Sequence, residues 1–491
     1  MTGSEVNVPP AEATSENDLP DKATSERNFK RRLLARLQFI GGALASIAAV
    51  GAIAGGLVGY WSVWKTLRTD VFTEKQKTKQ EAAFRPGIVP RLSLVVLPFA
   101  NLNHDPDQDY FADSITTDLT TDLARMPGAF VVGRGTAFTY KNKQIDLKVL
   151  GADLGIRWAV QGAVRRNGDH VRINVSLADV SSGQDIWSDR FDSDLTSLAT
   201  LQDQIAARLA RSLNVELVEA ESHRSETDRT SNPDAVDVSM RGWAKFYEPR
   251  SKIQNAQAKE LFERALRLDP DNVDAMIGLA SCIIADVVGG WSISASEDKK
   301  IAINLADRAL SKRPTSALAR VAKGDIIRYG QPEEALSEYD AALELDPNFP
   351  VAYANRGLAL ILLGRAREAF SPLELALRIS PKDPLAFQWR FFVCHAHLHL
   401  HEYEEAIEEC RRSISMNNQH WLTYIDLISI YGTTGQLDKA RQTLADFSQI
   451  RPNFTAREFH DFAYAASSNP LFRRENDAIV DGLRKAGVRE Q

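Results

Sequence analysis

In the carboxyl-terminal half of this chain an alanine keeps returning with a proline twelve residues behind it. The pairs are Ala258 and Pro270, Ala302 and Pro314, Ala335 and Pro347, Ala369 and Pro381, and Ala440 and Pro452. Ala406 and Asn418 keep the frame without the proline. A second small residue follows seven positions after most of these alanines: Ala265, Ala309, Ala342, Ala376 and Ser413. Successive alanines lie 44, 33, 34, 37 and 34 residues apart. A helical period of roughly 34 residues marks stacked helix pairs, because no single pair can bury its apolar face alone. Small residues let two helices cross closely, and proline stops the second helix of each pair. Such stacks present binding surfaces and rarely carry chemistry.

At 491 residues the chain has room for about three units. A net charge of −6 and a pI near 5.9 exclude a general nucleic-acid binder. Cys282, Cys394 and Cys410 are too few and too odd in number for a disulfide framework. All three fall in helical patterns, which predicts small buried residues. Cys394 and Cys410 can face each other across one helix pair, which leaves room for a single bridge.

The amino-terminal 1–36 segment is rich in Ser, Thr, Glu, Asp and Pro, which predicts disorder, and it ends in a basic cluster at Arg27, Lys30, Arg31, Arg32 and Arg36. Residues 37–64 contain no charged side chain and end in Tyr60, Trp61 and Trp64. As a helix this run exceeds the roughly 30 Å hydrocarbon core, so one tilted crossing with an interfacial aromatic belt is expected. A cleaved signal peptide fits less well, since the run starts late and lacks a clean small-residue cleavage site. Gly51, Gly55 and Gly59 share one helical face and are candidates for a transmembrane dimer contact. Basic residues are packed more tightly on the amino side, which favours an internal amino terminus and an external body. Residues 65–90 read as a charged linker.

Residues 91–216 alternate strand and helix patterns, the signature of an α/β domain. Leu92–Phe99, Phe130–Val132, Ile156–Arg166, His170–Val180 and Asp185–Phe191 read as strands. Asp109–Arg125, Leu147–Leu154 and Leu198–Leu213 read as helices. Asn167-Gly168-Asp169 is a hairpin turn. A second linker is expected at 217–232, and the repeat array at 233–491. The array's first helix reads as Ala235–Tyr247, an inserted loop as Val287–Glu297, and the tail from Arg457 as a helix pair covering the last apolar face.

The stretch VVLPFANLNHDPDQDYFADSITTDLTTDLAR resembles the opening of the TolB amino-terminal-like domain. The likeness continues through FVVGRGTAFTYKNK and LGADLGIRWAVQGAVRRNGDHVRINVSLADVSSGQDIWSDRFD. Pro350–Pro381 resembles the tetratricopeptide pattern, with Gly357, Leu360, Ala369 and Ala376 at its marker positions, Tyr353 in place of tryptophan and Arg356 in place of leucine. The joint resemblance covers roughly residues 92–491. It implies a bacterial inner-membrane protein. In that family the pair of modules usually follows a class III nucleotide cyclase or a winged-helix domain of the CadC-like regulators. Neither is expected in the short stretch before residue 37.

Three polar groupings carry candidate chemistry. Asp105, Asp107 and Asp109 open like a calcium loop, but Tyr110 and Thr116 stand where glycine and glutamate are needed, so a polar loop is expected. His395, His397, His399 and His401 form two i,i+4 pairs on opposite faces, at the point where other repeats turn on Gly330, Gly364 and Gly435. They are expected to be packed or solvated rather than metal-bound. Arg165 and Arg166 at the hairpin tip are expected to be solvated. No phosphate loop, H-E-x-x-H, G-x-S-x-G or paired-cysteine motif is present, so neither catalysis nor a cofactor is expected. Groove geometry makes Asn355, Tyr424 and Asp426 candidates for peptide contact. The expected partners are proteins, offering peptide segments to the groove, and the bilayer. The expected role is a membrane-anchored scaffold or sensor, with regulation of a separately encoded cyclase or transcription regulator as the alternative.

Overall fold

A computed structural model describes residues 92–103, 105–126, 128–212, 233–248, 251–289 and 291–491. All lie in one compact unit, Ala83–Gln491. The expected disordered terminus, the 37–64 span with Gly51, Gly55 and Gly59, and both linkers, 65–90 and 217–232, fall outside the described residues. Among the described residues no helix is long and apolar enough to cross a membrane.

The first part is a mixed sheet. Its strands are β1 (Ser93–Val96), β2 (Ala100–Asn101), β3 (Phe130–Val131), β4 (Trp158–Asn167), β5 (His170–Asp179) and β6 (Gln184–Asp194). The order is β3-β1-β4-β5-β6, with β2 also on β4. The β3, β1 and β4 strands run parallel, while β4, β5 and β6 form antiparallel neighbours. Helices α1 (Asp109–Ala124), α2 (Arg134–Phe138), α3 (Leu147–Leu154) and α4 (Leu198–Ser212) complete it.

The alternation of β1 divides the core. Leu94 and Val96 join Ile115, Leu119 and Leu123 of α1 and Ile205 and Leu209 of α4. Val95 points the other way, into a cluster shared with Leu150 of α3 and with side chains of the repeats such as Tyr353 and Ile379. One face of the sheet therefore has its own helices. The other is completed by the repeat array.

Among the described residues that array shows six consecutive helix pairs. They are α5 and α6 (Pro233–Phe246, Lys252–Leu268), α7 and α8 (Val273–Val288, Ala295–Lys312), and α9 and α10 (Ala317–Ile327, Pro332–Leu345). Next come α11 and α12 (Pro350–Leu362, Ala366–Ile379), α13 and α14 (Ala386–His399, Tyr403–Met416), and α15 and α16 (Trp421–Thr433, Leu437–Ile450). The recurrent alanines Ala258, Ala302, Ala335, Ala369, Ala406 and Ala440 are all fully buried. The expected inserted loop is shorter than its sequence pattern: α7 continues through Val288 and α8 starts at Ala295. Apolar Ile283 and Ile284, buried against neighbouring pairs, extend the helix to that point.

Two loops of the array seat the sheet. Asn348, between α10 and α11, donates from Nδ2 to the carbonyls of Ala124 (2.9 Å) and Ala129 (3.4 Å), and its Oδ1 accepts from the Val131 N–H at 3.4 Å. Ser380, after α12, accepts from the Thr136 N–H at 3.0 Å, while Gly133 N–H donates to the Ile379 carbonyl at 2.8 Å. Both loop side chains are buried.

Asn348→Ala leaves three buried backbone groups without partners, a loss of about 2–4 kcal/mol that urea unfolding would register. Next to it, burial raises the Asp346 carboxyl to about 6. A carboxyl raised in the folded state favours the protonated form there, so its contribution is lost as pH rises from about 4 to about 6. Asp346→Asn keeps the oxygen that accepts from the Asn348 N–H and is expected to raise Tm at pH 7.5 but not at pH 4.

Candidate protein-interaction surface

The first helices of successive pairs touch one another as well as their own partners, as they do when they line the inner side of a curved stack. A groove there would be built from α9, α11, α13 and α15. The structure fills it with the chain's own end. Helices α17 (Ala456–Ala466) and α18 (Pro470–Lys485) do not continue the stack; α18 lies along α15 and reaches α13. The expected helix pair at the tail is present, but it covers the inner side rather than the last apolar face of the stack. The amphipathic pattern of α18 explains this: Phe472, Glu475, Asn476, Ile479, Val480 and Leu483 form one buried stripe.

The contacts run the length of the pair. The Phe462 ring lies between Tyr329 and Trp421, with centroids 6.2 and 5.6 Å away. Gly330 N–H donates to the Ala466 carbonyl at 2.9 Å, and Ser467 Oγ donates to the Leu362 carbonyl at 2.7 Å. Ser429 Oγ donates to the Ile479 carbonyl at 2.9 Å. Helices α15 and α18 meet at two glycines: a Cβ on Gly432 would stand 2.1 Å from the Gly482 carbonyl oxygen. No side chain fits on either helix at that crossing.

The three groove candidates are all internal. Asn355 is 7 % exposed and donates to Asp325 Oδ1 at 2.7 Å. Asp325 also accepts from Tyr339 (2.7 Å) and Arg328 (3.0 Å), which ties α9, α10 and α11 together. Tyr424 stacks on Phe447 and donates to the Asn418 carbonyl at 3.3 Å. Asp426 is 1 % exposed and accepts from His395 Nδ1 at 2.7 Å. Repeat spacing correctly places these residues on first helices, but it carries no information about what covers them.

The histidines separate by environment. His401 takes a left-handed φ of 59°, in the turn where Gly330, Gly364 and Gly435 have positive φ, and its Nε2 lies 3.1 Å from Glu475 Oε2 of α18. His397 pairs with Glu402 at 2.8 Å. His395 and His399 are buried side by side, with ring centroids 4.4 Å apart. Burial, then His395 and His401, holds His399 well below the usual imidazole range, and its Nε2 has no hydrogen-bond partner.

The structure also joins two cysteines. Cys394 of α13 and Cys410 of α14 form a disulfide with Cα atoms 5.3 Å apart, while Cys282 is buried and in no disulfide. The pairing needs tertiary contact between helices 16 residues apart in sequence, which cysteine counting cannot supply. Among the described residues, these two sulfurs and Asp426 form one compact group of metal-binding atom types. Joined sulfurs are not thiolates, so that set is not a metal centre in this state.

Arg166 departs from its expected solvated position. It pairs with Asp237 of α5, donates to Tyr110 Oη at 3.1 Å, and so links the sheet hairpin to the first repeat. Arg241 completes the cluster at 3.0 Å from Asp237. The aspartate trio forms a polar loop: Asp105 accepts from the Asp107 N–H at 3.0 Å, and Asp109 accepts from Asn101 at 3.0 Å.

Comparisons with known proteins agree with the helix pairs. Residues 254–285 match a model described as tetratricopeptide repeat, and residues 329–364 match one described as TPR repeat. The chain carries tetratricopeptide repeats. It is 31% identical over 225 residues to a Rhizobium meliloti (strain 1021) protein named "Putative adenylate cyclase 3". That match covers 46% of this chain and 38% of the relative, so well under half of the relative's length is spanned. Among solved structures, PilF of Pseudomonas aeruginosa is 18% identical with a TM-score of 0.35, over 46% of this chain and 96% of that one. YrrB, a TPR protein with a peptide-binding site, is 17% identical with a TM-score of 0.28, over 40% and 94%.

Burial lowers His420, which packs on Phe387 and Phe391, to about 4. A histidine depressed below its unfolded value stabilises fully above about 6.5, and that share is lost as pH falls towards 4. Urea unfolding at pH 7 and pH 4.5 is expected to differ by about 1–2 kcal/mol less in His420→Gln than in the parent chain.

Proposed function

We propose that this chain is a membrane-anchored, non-catalytic scaffold or sensor that recruits protein partners through its tetratricopeptide repeats. The observation that carries this reading is the stack of six helix pairs, since such repeats generally serve protein interaction. Residues 37–64 supply the bilayer anchor, with Gly51, Gly55 and Gly59 as its dimer face. The mixed-sheet part is assigned to the TolB amino-terminal-like domain on the motifs quoted above.

The body is assigned to the outer side of a bacterial inner membrane, with the amino terminus inside. The Cys394–Cys410 bridge supports that orientation, because disulfides persist in oxidising compartments and are rare in the cytosol. A second reading is favoured by the relative named as a cyclase: a sensory or regulatory subunit acting on a separately encoded nucleotide cyclase or transcription regulator.

Reporters fused after Gln491 test the orientation. One that is active only outside the inner membrane is expected to work, and a cytoplasm-only reporter to stay silent. Photo-crosslinking in cells from exposed positions of the repeats is expected to capture a protein partner; capture of a cyclase or regulator would select the second reading. In the same cells, thiol labelling before reduction is expected to modify neither Cys394 nor Cys410. Reduction in vitro removes the constraint on the enclosed loop and is expected to lower stability by about 3 kcal/mol.

A further inference from the structure

We propose that the inner face of the last two repeats is a helix-binding groove held closed by the chain's own α18, and that a partner helix of matching pattern displaces it. The inference rests on the recruitment reading above and names the kind of partner.

Three observations carry it. First, α18 leaves the direction of the stack and lies on the first helices α15 and α13, where a helical ligand of such an array would sit. The chain enters the pair from the stack through the short stretch 451–455, which has no helix or strand and in which Asn453 takes a φ of 69°. Second, α18 binds as helix-in-groove ligands do. Phe472, Ile479, Val480 and Leu483 form an apolar row at i, i+7, i+8 and i+11, and Glu475 at i+3 meets His401. Third, the fit leaves polar atoms unsatisfied on both sides. His399 Nε2 on the groove side and Asn476 Oδ1 on the α18 side are both buried with no hydrogen-bond partner. Each unmet polar atom costs about 1–3 kcal/mol, so a helix that satisfies His399 competes with α18.

The geometry restricts the competitor. A Cβ at Gly482 would stand 2.5 Å from the Ser429 carbonyl oxygen, so the partner helix needs glycine at that position. It needs an acid one turn after its leading aromatic residue, to reach His401, and apolar residues in the row given above. The partner is therefore an amphipathic protein helix with a small residue at its crossing point.

Hydrogen exchange on the purified full-length chain is the test. Amides of α18 are expected to exchange at least about 100-fold faster than those of α11, because a closing element opens without global unfolding. In the full-length Ile479→Asp variant α18 should undock while the helical circular dichroism persists. That variant should bind a labelled synthetic peptide of residues 468–491, which the parent chain should exclude. Adding Gly432→Leu should abolish the binding. If α18 is protected like α11, if Ile479→Asp melts the repeats, or if the opened chain ignores the peptide, α18 is part of the fold and the proposal falls. If Ile479→Asp chains bind it only as dimers, the occupant is a second copy and the partner-helix proposal also falls. A protected α18 leaves recruitment through the outer helices standing; a mobile α18 with no crosslinked partner strikes the recruitment reading itself.

Discussion

One face of a mixed sheet has no helices sufficient to cover it, and most of the architecture follows from that constraint. Val95 and Leu97 point away from α1 and α4, and water would reach them if only α3 covered that side. The loops at Asn348 and Ser380 bring the repeat array against this face and satisfy the backbone groups there. The first repeat is tied in separately, by Asp237 with Arg166, Tyr110 and Arg241. Sheet and repeats thus share a hydrophobic core, and neither presents a complete surface without the other.

The same demand for coverage explains the chain's end. A curved stack of helix pairs leaves an inner row of apolar first-helix residues, and here Leu358, Ile361, Leu362 and Phe392 are all buried. The C-terminal pair satisfies that row with Phe472 and its neighbours. Burial then changes the chemistry of polar residues caught beneath it. His395 finds Asp426, while His399 is left with an unmet nitrogen.

Much of the repeat architecture was legible because its signal is local and periodic. Small residues at helix crossings and prolines at helix ends recur at fixed spacing, and each recurrence is an independent reading of the same geometry. The hairpin was legible for a similar reason: Gly168 takes a φ of 60° at the turn between β4 and β5. Arg166 was not. Its partner Asp237 lies 71 residues away, and no local pattern links a hairpin tip to a repeat helix. The burial of the groove candidates was hidden in a comparable way. Spacing sets the helix on which Asn355 and Asp426 lie, but not that Asp325 and His395 of neighbouring helices hold them.

The sequence by itself determined the helix pairs, the strand-and-turn pattern before them and the lack of known catalytic motifs. These depend on side-chain period, turn residues and spacing, all properties of neighbours along the chain. Only the tertiary structure decided that Cys394 meets Cys410, that the sheet borrows its cover from the repeats, and that α18 fills the inner face. Each of those is a contact between surfaces that many sequences could present, and it is settled by which pair excludes the most water while leaving the fewest polar atoms unpaired.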